Sequence, residues 1–575
     1  MGNSRSAQWY QRLTLGFGFS LLTALPGWSA ERITFSYGAL ERSIDIEDLE
    51  IYAKEGRLTD ELKGYARYFD PDDLEQFRSI LTEAANVDVV VVDRFLYTQQ
   101  GGYLLNIAGD FLRTGARLNG SQSLRGALIQ SAADPVEGLT LLNMLKQFAG
   151  STVRVDIAKG ISIAREVNRA IYKANTAFTV VEQQADIERN KTAQLNMSEQ
   201  LAIASKPGPY QIERTSIERL SKELELPIDL YLPSSPGRLF SRPAIVISHG
   251  LGSDRTSYAY LARHLASHGF VVINVEHPGS SAAQINNLLV GDTSDIVPND
   301  EFLKRPANIS KLLDTLESKA LSDPKLRNLI DFERIGVLGQ SFGAYTSLAL
   351  AGAPLNFTDL GEQCPPEAFS LNISLLLQCQ IETLAEPDIP TRNLSDPRIQ
   401  ATFAINPIAS VLFGEDSLSQ IQIPTMIVAG TIDTVAPALP EQITPFTWLT
   451  APDKYLLLMR NGTHFSTIGI TETDSEAFDI PEDILGPTPE IAQDYIKTMS
   501  LAFFEAHLDN NPDYTSLLTS NAARQLSRPS IPLSLISILG QGQLADGLAE
   551  ADTTAQPNTA EPFEQLDGAS EPGEN

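Results

Sequence analysis

The chain has 575 residues, 42% of them apolar, and a formal net charge of −29 from 72 acidic and 43 basic side chains. That length supports two domains plus tails, and so acidic a surface repels nucleic acids and anionic membrane faces, which drop out as partners. Two cysteines without a Cys-x-x-Cys pair, and six scattered histidines, give no support to a zinc site.

Arg5 and Arg12 flank the start of an apolar run, Leu13–Leu25, and Pro26-Gly27-Trp28-Ser29-Ala30 follows it. The run is too short to cross a bilayer comfortably, so residues 1–30 read as a secretory signal with cleavage after Ser29 or Ala30. Export to a periplasmic or extracellular compartment is oxidising, which favours a Cys364–Cys379 bridge over two free thiols. No later stretch is apolar for long enough to make a membrane helix.

Residues 31–200 carry helical signals. Thr59 reads as an N-cap, Asp70 caps a helix with Pro71 at its first position, and Asp134-Pro135 repeats that start. The β-branched run Val87–Phe95 fits a strand or part of a helix, and residues 157–190 read as one helix or two. No nucleophile–base set occurs here, so an all-α accessory domain is expected. A linker closes it at Lys206-Pro207-Gly208-Pro209.

From Tyr210 short apolar strands alternate with helices. Glu223–Pro233 alternates like a half-buried edge strand, whereas Pro243–Gly250 and Phe270–Pro278 are near-continuous apolar runs, as buried parallel strands should be. A helix lies between them at Tyr258–Gly269. A helix near Asn308–Ser322, a strand at Arg334–Leu338, a helix after Phe342, three strands ending near Asn406, Gly430 and Arg460, a helix near Thr444 and a closing helix at Pro489–Leu508 complete the pattern. The fold class is α/β, a doubly wound and mostly parallel sheet over residues 210–530, with an insertion at 353–398. The tail 540–575, rich in Gly, Ala, Pro and acids, is expected to be disordered.

Within "LGQSFGAY" a β-branched strand runs into Gly339 and a small-residue helix runs out. Ser341 then sits on a sharp strand–helix turn with its hydroxyl above the sheet, and Gly339 and Gly343 let strand and helix pass closely. A serine needs a base, and on such a turn the base lies downstream. His464, in the loop after an apolar strand, fits; His507, late in a helix, fits a helix-end position. Asp433, on the loop after Gly430, is the expected acid that orients His464, since Asn406 at the end of the preceding strand cannot carry charge. The N–H groups of Phe342 and Leu251 are the expected oxyanion donors. His249 and Gly250 shape the turn before Leu251, and His249 has no companion metal ligands. His264 and His268, four apart, read as a partly solvated helix face, and His277 either lines the pocket or makes a structural hydrogen bond. No cofactor and no metal is implied.

Those motifs carry a resemblance. "SHGLGSDRTSYAYLARHLASHGFVVINVEHPGSS" with "LGQSFGAY" resembles the platelet-activating-factor acetylhydrolase branch of the α/β-hydrolase superfamily. "GTIDTVAP" and "KYLLLMRNGTHFS" are similar to the acid and base segments of polyester hydrolases and cutinase-like esterases. In the acetylhydrolase branch the acid follows the strand that here ends at Asn406, so this chain follows the polyester-hydrolase arrangement at Asp433. The N-terminal region resembles a domain of unknown function found ahead of some exported bacterial hydrolases. The resemblance implies a serine esterase acting on a small-molecule or lipid ester through an acyl-serine. A polymer hydrolase and a non-catalytic envelope scaffold are the other readings. The apolar insertion segment Phe369–Cys379 is either a cap that meets an acyl chain or a piece packed on the sheet.

Overall fold

In the computed structural model the described residues run from 29 to 554, except 39, 68, 86, 192–195, 223, 235–240, 323–328, 359, 365–369, 386–389 and 470–481. The expected signal segment, apart from Ser29 and Ala30, the tail beyond 554 and Phe369 lie outside them. The chain divides into two compact units. One holds the described residues up to Val167 together with Gln284–Ile296; the other holds Asn168–Ala283, Val297–Cys364 and the described residues from Ser370 on.

The first unit departs from the all-α expectation. Its helices surround a four-stranded sheet of order β2-β1-β4-β3, formed by β1 (Arg32–Tyr37), β2 (Leu40–Asp45), β3 (Leu112–Thr114) and β4 (Thr152–Asp156). The alternating segment around Gly38 makes an antiparallel hairpin, and β4 adds parallel to β1. These strands are at most six residues long, and helices separate the hairpin from β3 and β3 from β4, so their period-two signal is faint. Helix starts follow cap chemistry. Thr59 accepts from the Leu62 N–H, and Asp70 accepts from the Asp73 N–H with Pro71 following. Asp88 caps Val89–Tyr97, which resolves the β-branched run as helix. Asp134-Pro135 is not a helix start. Asp134 turns its carboxylate onto the Val136 N–H, and the helix begins at Leu141 under a Thr140 cap. Residues Ile157–Lys191 form one helix, and the boundary between the units falls inside it rather than at the Lys206–Pro209 linker. Its later part buries Phe178, Val181 and Ala185 in a core of the second unit.

That second unit is built on a nine-stranded sheet. Its strands are β5 (Gln211–Ile217), β6 (Ile228–Ser234), β7 (Arg242–Ser248), β8 (Val271–Val275), β9 (Ile330–Gln340), β12 (Ile399–Ile405), β13 (Thr425–Gly430), β14 (Lys454–Met459) and β15 (Leu533–Ile536). A separate short pair, β10 (Leu355–Asn356) and β11 (Thr391–Arg392), closes the base of the insertion. The order is β15-β14-β13-β12-β9-β7-β8-β6-β5, parallel from β14 to β8 and antiparallel at both ends. This is the fold of α/β-hydrolases. Strand alternation sends side chains to opposite faces. Ile245, Leu338, Phe403 and Ile405 pack beneath helices Ala259–Ser267 and Pro489–His507, while Ala404, Ile427, Ala429 and Leu456 face helices Phe342–Leu350 and Ser410–Leu418. Each Leu or Phe buried in this way contributes roughly 1.5–3 kcal/mol by leaving water.

Three details differ from the sequence reading. The edge strand is β5, not β6; Asp229 interrupts the apolar run of β6 yet is fully buried, paired with Arg214 and Ser216 of β5 at 2.7 and 2.6 Å. The helix expected near Asn308 begins at Glu301 and contains Pro306. Proline has no N–H for the Phe302 carbonyl, and the Tyr345 hydroxyl donates to that carbonyl instead at 2.6 Å. The tail is helical over Gln541–Thr554, where Leu544 is buried in the core that also holds Phe178. Among the described residues no helix is long and apolar enough to cross a membrane.

Candidate active site

Parallel register brings the expected residues to one edge. Ser248 of β7 lies beside Gly339 of β9, Gln340 of β9 beside Ile405 of β12, and Gly430 of β13 beside Met459 of β14. The loops holding Leu251, Ser341, Asn406, Asp433 and His464 therefore leave neighbouring strand ends. Successive strands run outward in one direction through β7 and β8 and in the other through β9, β12, β13 and β14. The strand order reverses between β7 and β9, and such a switch point is where open α/β sheets bind ligands.

Ser341 follows β9 in a backbone conformation that L-residues avoid, φ 55° and ψ −116°. Such a position costs about 1–3 kcal/mol and persists where the surroundings enforce it. The glycines around it do so by proximity. A Cβ on Gly339 would stand 2.0 Å from the Gly343 carbonyl oxygen, and one on Gly343 would stand 2.0 Å from that of Ser248. Strand β9, the helix Phe342–Leu350 and the end of β7 are thus in backbone contact. The Ser341 N–H donates to the Ile405 carbonyl at 2.9 Å, which ties the turn to β12.

Asp433 and His464 meet directly, with Asp433 Oδ2 2.7 Å from His464 Nδ1, and both side chains are buried. The same Oδ2 accepts the Asn406 amide at 2.7 Å, while Oδ1 accepts the Val435 and Ala436 N–H groups at 2.9 and 2.7 Å. A carboxylate only accepts, so the proton of this pair sits on Nδ1 and Nε2 is left as an acceptor. The His464 carbonyl receives Gln340 Nε2 at 3.0 Å, so the residue before Ser341 grips the histidine loop. Asn406, which cannot be the acid, stands as a donor to it. Gln340 lies inside the Gly-x-Ser-x-Gly core, where the motif gives no sign of this contact.

Among the described residues neither the Phe342 nor the Leu251 N–H is taken by a protein acceptor. Both belong to segments that flank Ser341. The other histidines have structural surroundings. His249 and His277 are buried; burial pushes His249 down to about 3 and His277 well below its ordinary value, so both are neutral. His277 Nε2 meets the Ser248 hydroxyl at 2.9 Å, the structural hydrogen bond rather than a pocket wall. His264 is buried rather than partly solvated, with its ring 4.9 Å from that of His268. His507 closes its helix with Nε2 3.3 Å from the Tyr455 hydroxyl.

Cys364 and Cys379 are bonded, with Cα atoms 5.7 Å apart. The described part of the insertion is anchored. Ser374 N–H donates to the Val435 carbonyl on the acid loop at 2.8 Å. Buried Glu441 accepts from Asn372, Gln378 and Ser410 side chains and from the Ala409 and Ser410 N–H groups. Leu371 and Ile373 of this segment nevertheless remain exposed, as does Ile432 beside Asp433.

Two family models match the chain. Residues 29–156 match the alpha/beta hydrolase of unknown function (DUF1400), and residues 219–305 match platelet-activating factor acetylhydrolase, isoform II. The chain is similar to a platelet-activating factor acetylhydrolase of Canis lupus familiaris, 35% identical over 18% of this chain and 31% of that protein. It is also similar to cutinase est1 of Thermobifida alba, 23% identical over 55% of this chain and 76% of that protein. The chain therefore spans about a third of the acetylhydrolase and three quarters of the cutinase. Fold, motifs and comparisons agree on an α/β-hydrolase fold and on a likeness to both groups of esterases.

Proposed function

We propose that this protein is an exported serine hydrolase of carboxylic esters. The observation that carries the reading is the buried Asp433–His464 pair, 2.7 Å apart, on strand ends neighbouring the strained Ser341 turn. Ser341 Oγ attacks the ester carbonyl while His464 Nε2 takes its proton, and Asp433 holds the imidazole and balances the imidazolium. The Phe342 and Leu251 N–H groups receive the oxyanion. The carbon–oxygen bond to the alcohol then breaks, His464 returns the proton to the leaving alcohol, and an acyl-serine remains. Water, deprotonated by His464, attacks that acyl group and releases the acid with Ser341 restored.

The likeness to acetylhydrolases and cutinases supports esters over amides as substrates. Exposed Leu371, Ile373 and Ile432, on the acid loop and the segment bonded to it, favour a lipid or short acyl ester with an apolar chain. The longer cutinase match favours an extracellular polyester as the second reading. The apolar leader and the disulfide support export. Turnover of nitrophenyl esters from acetate to dodecanoate tests the assignment. A maximum within the series supports the lipid or short-chain reading. Weak turnover throughout, with release of acid from a polyester film, supports the second. No hydrolysis of any ester by folded mature protein would leave the scaffold reading.

A further inference from the structure

Leu251 N–H shares a peptide unit with the Gly250 carbonyl, and the chain has no cis bond among its described residues. In a trans peptide the C=O and N–H point in opposite directions, so whatever fixes Gly250 O also aims the Leu251 N–H. His249 Nδ1 lies 2.7 Å from Gly250 O, and His249 Nε2 receives the His277 N–H at 3.0 Å. A backbone N–H can only donate, so Nε2 is bare and Nδ1 carries the proton that holds Gly250 O. A carbonyl that accepts a hydrogen bond also makes its own N–H a stronger donor.

One side chain holds this arrangement from behind. Arg305, in the helix Glu301–Ser322, is 1% exposed. Its Nη1 donates to the His249 carbonyl at 2.7 Å and its Nε to Ser280 Oγ at 2.8 Å. The Ser280 carbonyl in turn accepts the Gly252 N–H at 3.0 Å. The backbone is therefore held on both sides of Leu251. The guanidinium also lies 4.3 Å from the ring centroid of Phe342, the residue that carries the other donor. Its nearest carboxylate, Glu301, stands 3.9 Å from Nε and is engaged by the Ser280 hydroxyl at 2.7 Å, and Arg305 Nη2 has no partner among the described residues. Burial lowers the Arg305 pKa to about 9, which still leaves it cationic at neutral pH. A buried cation so loosely paired is costly in a structural role, and an anion that forms only during reaction makes use of it.

We propose that Arg305 is a positioning residue of the oxyanion hole: through His249 and Ser280 it fixes the Leu251 peptide, it seats Phe342, and its charge favours the anionic tetrahedral intermediate. This rests on the serine-hydrolase reading above. The test compares wild type, Arg305→Lys and Arg305→Met on one nitrophenyl ester, with rates normalised to sites titrated by a fluorophosphonate at completion. Arg305→Met should lose about 10- to 100-fold in kcat with KM held within about threefold, and Arg305→Lys should fall between. A trifluoromethyl ketone, which forms a tetrahedral oxyanion on the serine, should lose affinity in the same proportion.

Fewer titratable sites with unchanged kcat per site would overturn the proposal, because that is how a merely structural arginine behaves. If Arg305→Met does not fold, Arg305→Lys carries the test: a loss of kcat and ketone affinity together supports it, and wild-type values for both overturn it. Hydrogen exchange over residues 249–256 separates this failure from failure of the reading beneath it. An inactive wild type sinks the hydrolase reading. With an active wild type, faster exchange of that segment in Arg305→Lys supports the hold on the Leu251 peptide, and unchanged exchange rejects it.

Discussion

On one side of Ser341, at the ends of β12, β13 and β14, the site is made of side chains. Asp433 accepts four hydrogen bonds, one of them from His464, and the pair is buried. On the other side, at the end of β7 and the start of the helix Phe342–Leu350, the proposed site is made of backbone. Among the described residues the Leu251 and Phe342 N–H groups meet no protein acceptor, and the Leu251 peptide is held by contacts on its neighbours. The difference teaches how each half should fail. A charge that stabilises an imidazolium is lost outright with one atom's chemistry. A peptide direction is shared among His249, Ser280 and Arg305, and degrades by degrees.

The largest effect belongs to the side-chain half. Asp433→Asn keeps shape and removes charge, so kcat should fall on the order of 10⁴-fold. Asn406→Ala removes only a donor to Asp433 and should cost about tenfold, since Val435 and Ala436 still hold the carboxylate. Steady-state kinetics on one ester compares the two. A larger loss at Asn406 than at Asp433 would mean that Asp433 is not the acid and would erase the contrast between the halves. Arg305→Met falls between these two, as expected of a distributed arrangement.

A smaller effect is a pH signature of the backbone half. Burial depresses both His249 and His277, so each is neutral when folded and takes a proton near pH 6.5 when unfolded. A depressed histidine contributes stability that is fully present above pH 6.5 and is lost as pH falls toward the folded value. The slope is at most about 1.4 kcal/mol per pH unit for each histidine. Urea unfolding between pH 7.5 and 4.5 should show wild type losing stability faster than His277→Gln. Parallel curves would mean that folding leaves the His277 pKa where it lies in the unfolded chain.

Legibility in the sequence followed the same division. Ser341, Asp433 and His464 are readable because each follows an apolar strand and because chemistry needs those residue types in that order. The β7-to-β14 core was readable because parallel strands buried on both faces are near-continuous apolar runs. Arg305 gave no signal. It is one arginine beside a lysine and a proline, and only the packed fold shows that Lys304 is exposed while Arg305 is enclosed. The helix that starts at Glu301 rather than near Asn308 runs through Pro306, whose missing N–H is replaced by the hydroxyl of Tyr345, far along the chain. The four-stranded sheet of the first unit was hidden by brevity, its longest strand having six residues.

Where a covalent inhibitor attaches tests Ser341 as the nucleophile most directly. Mature protein treated with a fluorophosphonate and analysed by peptide mass spectrometry should carry one adduct, on Ser341, and Ser341→Ala should carry none. An adduct on another residue, or a folded and unlabelled wild type, would contradict the assignment of Ser341 as nucleophile.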